Sequence, residues 1–150
     1  MNNRHTASTS AAVLLCMLSV AGPAAADAAA TVKFDLKPTA VQDNAIRLAA
    51  AADIADFIHP TGDDYVVGQA DLNDDGRPDL IVRYDDIGFC GSSGCSGVIV
   101  MATAHGYASK TVRVPNFTTM EVLQNKHHGM HDLHFDDAAY IFKWNGKAYD

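Results

Sequence analysis

Residues 63–86 read DDYVVGQADLNDDGRPDLIVRYDD, which sets a nine-residue acidic loop between two segments of β-strand character. Asp71, Asn73, Asp75 and Asp79 occupy loop positions 1, 3, 5 and 9, and Gly76 stands at position 6. Hard cations such as Ca2+ take oxygen ligands at about this spacing, with the main-chain carbonyl at position 7, here Arg77, as a further ligand. Glycine allows the sharp bend, because a residue without Cβ enters positive φ at little cost. Carboxylates this close repel one another, and a bound Ca2+ turns that repulsion into a cross-link. Alternatively, Asp75-Gly76 is a plain hairpin turn, for which Asp-Gly between alternating apolar residues is a strong signal. A turn accounts for two of the nine residues and leaves the spacing of Asp71, Asn73 and Asp79 without a cause. The loop is not an EF-hand: position 12 is Val82 instead of a bidentate Glu, and the following LIVRY is β-branched and apolar like a strand.

From Asp71 to Leu80 the chain reads DLNDDGRPDL. This resembles the D-x-[DN]-x-D-G-x-x-D loop of FG-GAP and VCBS-type repeats, seen also in dockerin-like and thrombospondin-type modules. The resemblance implies that the odd-position oxygens, those of Asp71, Asn73, Asp75, Arg77 and Asp79, bind calcium. Downstream, a CGSSGC turn, further strands, GMHDL and a closing WNGKAY make a layout similar to that of small exported bacterial proteins carrying one such loop. The chain departs from the repeat proteins in having a single copy, and a propeller needs at least about four blades.

The first 26 residues carry Arg4 and His5, an apolar run over 11–20, and Ala24-Ala25-Ala26 before Asp27, the pattern of a cleavable secretory signal. The apolar run is too short to span a bilayer. Cys16 follows Leu15, where lipid attachment wants a small residue, so lipidation is not expected. Cleavage after Ala26 leaves 27–150, which is 124 residues (150 minus 26), enough for a single domain. The expected location is periplasmic or secreted, with no membrane insertion after cleavage. That part holds 10 basic and 18 acidic residues, a formal charge of −8, which argues against nucleic acid and anionic membrane surfaces as partners. Seventeen of the acids are Asp, which suits turns and short-armed cation loops, and only Glu121 is Glu, which suits helix surfaces.

Removal of the signal leaves Cys90 and Cys95, an even pair that an oxidising compartment joins as a disulfide. The intervening GSSG supplies glycines for a tight loop, and closing it contributes roughly 2 kcal/mol on the chain-entropy account. A redox pair wants C-x-x-C and a zinc site wants further ligands; neither is present.

Val32, Phe34 and Leu36 alternate with polar residues as in a short strand, which Pro38 ends. Thr39 and Gln42 form a capping-box pattern for an Ala-rich helix running to Ile58, with Asp43 and Arg47 four apart and His59-Pro60 as the stop. Strands are expected at 65–70, 80–84, 107–114, 117–123 and 131–135, and the continuous apolar run 97–102 reads as a strand buried on both faces. Tyr140, Phe142 and Trp144 share a face at period two before an Asn145-Gly146 turn, as core or as a carbohydrate-stacking ridge. The expected fold is α+β, with one N-terminal helix packed on a mostly antiparallel sheet of five to seven strands.

His127, His128, Met130, His131 and His134 are a second set of candidate ligands, suited to Cu, Ni or Zn. On a strand, His131 and His134 point to opposite faces, so the set does not converge locally, and surface histidines entering a strand are the plainer account. His59 and His105 have no assignable partner. The chain has no G-x-S-x-G, H-E-x-x-H or Walker loop. These features lead to an exported, non-catalytic binding module, ordered by Ca2+ and a disulfide, that contacts a protein or cell-wall ligand, with an inhibitor or immunity role among the options. A periplasmic transition-metal binder and a small hydrolase are the alternatives.

Overall fold

The computed structural model describes residues 29–53, 65–136 and 138–150. The expected signal segment with its cleavage after Ala26, the end of the expected helix and His59 lie outside them. The elements in chain order are β1 (Ala30–Thr31), α1 (Ala40–Asp53), β2 (Tyr65–Ala70), β3 (Asp79–Tyr84), β4 (Cys90–Gly91), β5 (Gly94–Val100), β6 (Ala102–Thr103), β7 (Gly106–Tyr107), β8 (Val112–Phe117), β9 (Met120–His127) and β10 (Met130–Phe135). The class is α+β, and the strand pairings are antiparallel.

In place of one sheet, the strands divide. A five-stranded sheet runs β2-β3-β5-β4 with β8 also on β5, a three-stranded sheet runs β1-β9-β10, and β6-β7 form a small ribbon. The apolar DLIVRY of β3 explains the division, because successive side chains of a strand point to opposite faces and here both faces are covered. Leu80, Val82 and Tyr84, with Val67, Val98 and Val100, pack with Ile46, Ala49 and Ala50 of α1. Ile81 and Ile99 point the other way, into a core with Val122, Leu133 and Phe135 of the three-stranded sheet. The layers are therefore helix, five-stranded sheet, three-stranded sheet. Burying each of Leu80, Ile81 and Val82, all at 0% exposure, is worth about 1.5–3 kcal/mol.

The helix starts as its sequence dictates. Thr39 N–H donates to Gln42 Oε1 at 2.8 Å, and Gln42 N–H donates to Thr39 Oγ1 at 3.3 Å, closing the capping box. Arg47 Nε donates to Asp43 Oδ2 at 2.8 Å, and the Tyr65 hydroxyl donates to Asp43 as well, which ties α1 to β2. Arg47 first, then the Tyr65 hydroxyl, holds the Asp43 carboxyl below the usual carboxylate range.

Four expected strands differ. The run expected over 97–102 begins earlier, at Gly94, and stops at Val100, with Met101 separating β5 from β6. Residues 31–36 are not one strand, because this segment crosses between sheets: Val32 N–H donates to Met120 O at 2.9 Å and Leu36 N–H to Val67 O at 3.1 Å. The expected 107–114 strand is interrupted between β7 and β8. Pro115-Asn116 lies within β8 and not at its end, at the point where the β5–β8 register shifts. A proline is tolerated there because it removes a ladder donor only where pairing is already irregular. The next strand begins at Met120 and runs on to His127.

Candidate functional site

β2 and β3 pair up to Ala70↔Asp79, which leaves 71–78 as the connection. Its polar side chains turn onto its own main chain. Asp71 Oδ1 accepts the N–H groups of Asn73 at 3.3 Å and Asp75 at 3.2 Å, and Asp71 Oδ2 accepts that of Gly76 at 2.7 Å. Asn73 Oδ1 accepts Asp75 N–H at 3.0 Å, and Asp75 Oδ1 accepts Arg77 N–H at 2.9 Å. Gly76 makes the bend at φ 79°. The other Asp75 oxygen receives Asn73 Nδ2 at 3.1 Å and Arg77 Nη2 at 2.6 Å. Although desolvation pushes it up, the Arg77 N–H, the Asn73 amide and the Arg77 charge together hold the Asp75 carboxyl below its ordinary range.

Asp79 is placed differently. It is fully buried, and its oxygens accept Leu72 N–H at 3.1 Å and Ala102 N–H at 2.7 Å. Burial pushes its carboxyl up, the two N–H bonds oppose this, and the charges of Asp75 and Asp71 push it up further. Among the described residues, the set of three carboxylate, imidazole or sulfur groups with donor atoms within 4.8 Å of one another is Asp85, Cys90 and Cys95, and Asp71, Asp75 and Asp79 are not such a set. The two sulfurs of that set are joined in the expected disulfide and offer no thiolate. The structure thus groups Asp71, Asn73, Asp75 and the loop main chain, and keeps Asp79 beneath them as a buried tie to β6.

The β9–β10 hairpin grips the loop from the side. Asp74, at φ 59°, pairs with Lys126, and its Oδ1 lies 2.9 Å from His131 Nε2. His131 Nδ1 lies 2.5 Å from Leu123 O, so both ring nitrogens are in hydrogen-bond contact. His131 N–H donates to Leu72 O at 2.7 Å, and the Tyr149 hydroxyl donates to His131 O at 3.0 Å. Lys126 first, then His131, holds the Asp74 carboxyl below its usual range. Asp74 stands at a loop position without a ligand role and meets partners 52 and 57 residues away, so no local signal marks it.

His127 and His134 take separate carboxylates. His127 Nδ1 lies 2.6 Å from Asp132 Oδ1, and His134 Nδ1 lies 3.1 Å from Glu121 Oε2. Met130 is in the core and His128 is exposed at the hairpin turn. His105 is exposed between β6 and β7.

An open cleft of about 880 Å³ separates the disulfide loop from the C-terminal segment, and Ser92, Ser93, Thr118, Asp136, Tyr140 and Phe142 line it. Among the described residues no histidine lines it. The expected aromatic face is split: Phe142 is buried, Tyr140 is 63% exposed, and Trp144 packs on Tyr149 at 5.2 Å. The Asn145-Gly146 turn forms as expected, with Asn145 Oδ1 accepting the N–H groups of Lys147 at 2.9 Å and Ala148 at 3.0 Å.

No protein-family model, curated protein or solved structure matches the chain.

Proposed function

We propose that the chain is an exported, non-catalytic binding module whose β2–β3 loop is ordered by Ca2+ and which docks on a protein or cell-wall ligand. The observation that carries this reading is the inward turn of Asp71, Asn73 and Asp75 around the positive-φ Gly76. Their donor chemistry fits a hard cation, since every group is a carboxylate, amide or carbonyl oxygen. Asp71, Asn73, Asp75 and the Arg77 carbonyl would hold the ion, with Asp79 fixing the loop from below. Bound there, Ca2+ supplies the positive charge that lets the acids stand together. Arg77 pairs with Asp75 and Lys126 of β9 pairs with Asp74, so cationic groups already gather at this acidic loop. Binding without catalysis is supported by the dispersal of His127, His131 and His134, each with its own carboxylate partner and none lining the cleft that holds Ser92 and Ser93.

The thermal midpoint of the full chain tests the calcium reading. Free Ca2+ at a hundred times its dissociation constant adds about 2.7 kcal/mol, which raises the midpoint by roughly 10 °C. Chelator reverses the rise, and Asp75→Ala abolishes it. A midpoint that neither Ca2+ nor chelator moves overturns the reading.

A further inference from the structure

We infer that the cleft between the disulfide loop and the C-terminal segment binds a neutral saccharide. This site goes beyond the calcium loop and shares none of its residues.

Both walls and the floor are held in advance of any ligand. On one side, the Ser92–Ser93 wall is closed by the Cys90–Cys95 disulfide. Gly94, at φ 89°, seats that wall against the Phe117 main chain, where a Cβ would collide. The floor is fixed by Asp136, whose carboxylate accepts the N–H groups of Thr118 at 2.9 Å and Thr119 at 2.6 Å and the Thr119 hydroxyl at 3.1 Å. Arg83 Nη1 donates to Thr118 O at 2.5 Å from the sheet below. On the other side, the exposed Tyr140 ring stands 4.8 Å from Phe142, which meets Phe135 edge-on at 5.2 Å. Phe142 is in turn bonded through its main chain to Leu133, at 2.8 and 2.9 Å. A row of rings anchored in the core therefore presents an aromatic face to solvent in a fixed position, and such pre-organisation lowers the entropy lost on binding.

The lining selects the ligand class. An exposed aromatic face suits the C–H side of a sugar ring. Facing it, the Ser92, Ser93 and Thr118 hydroxyls both donate and accept, as sugar hydroxyls do. Asn116 adds its Nδ2 donor, because its Oδ1 is already taken by the Ser96 hydroxyl at 3.1 Å. Among the described residues no Lys, Arg or His lines the cleft, so an anion would find no counter-charge on an acidic protein. A purely apolar ligand would leave the hydroxyl wall unanswered. The volume falls within the span of about 300–1,000 Å³ typical of ligand sites.

Amide chemical-shift titration of the full, oxidised chain with N-acetylglucosamine trimer, cellotriose and maltotriose tests the inference. The first two represent structural glycans and the third a soluble one. The expected result is saturable shifts for at least one of them, confined to 92–94, 116–119 and 135–142. Tyr140→Ala weakens binding roughly tenfold, and Tyr140→Phe stays within about threefold, because the stacking face is kept. Tyr140 is exposed, so both variants should melt like the parent, and Asp75→Ala should bind sugar unchanged whether or not the loop takes calcium. Absence of saturation at millimolar sugar, shifts outside the cleft, or a Tyr140→Ala variant that binds like the parent would overturn it.

Discussion

Asp79 shows how spacing and environment part company at a single residue. Its position in the sequence matches a ligand oxygen, yet its side chain is buried with both oxygens on main-chain N–H groups. The distance to Ala102, 23 residues on, is why the sequence could not show this. Asp79→Ala in chelator should destabilise the chain by about 1–3 kcal/mol for each N–H left unpaired, read from urea midpoints. The pH dependence has a definite sign. Burial raises the Asp79 carboxyl in the folded state, so its stabilising contribution is full below the ordinary aspartate value of about 3.9 and declines as pH rises through the raised value. In chelator, the stability advantage of wild type over Asp79→Asn should therefore be largest in acid and shrink toward neutrality. An advantage that grows with pH would contradict this account.

Among elements, those encoded by local chemistry were legible. The Thr39/Gln42 capping box, the Asp43/Arg47 pair, the hairpin flanking the acidic loop and the Asn145-Gly146 turn each depend on residues within a few positions of one another. Segments serving two sheets were not. Residues 31–36 carry a strand pattern, but the main chain leaves one sheet and joins the other within it, so period two marks burial there without marking a strand. The disulfide was readable from the even pair left once Cys16 is set aside with the expected signal segment, and its structural setting gives it a further consequence. Replacing Cys90 and Cys95 with Ser should cost about 2 kcal/mol in urea unfolding on the chain-entropy account. It should also speed amide exchange at 92–94. Unchanged stability would mean that the β4–β5 pairing alone holds this wall.

For the whole molecule, composition and pattern gave the class but not the layering. The apolar run 97–102 reads as a strand buried on both faces, and only the structure shows that Val98 and Val100 meet the helix side while Ile99 meets a second sheet. This arrangement leaves the loop and the cleft as separate features of one two-sheet fold. The grip of β9–β10 on Asp74 and Leu72 links the loop to the three-stranded sheet, so ordering the loop should stabilise more than the loop itself. Native mass spectrometry of the full chain purified without chelator measures whether the loop holds Ca2+. One calcium per chain is expected, removed by chelator and lost in Asp75→Ala. A metal-free wild-type chain in millimolar Ca2+, or the same calcium content in Asp75→Ala, would contradict it.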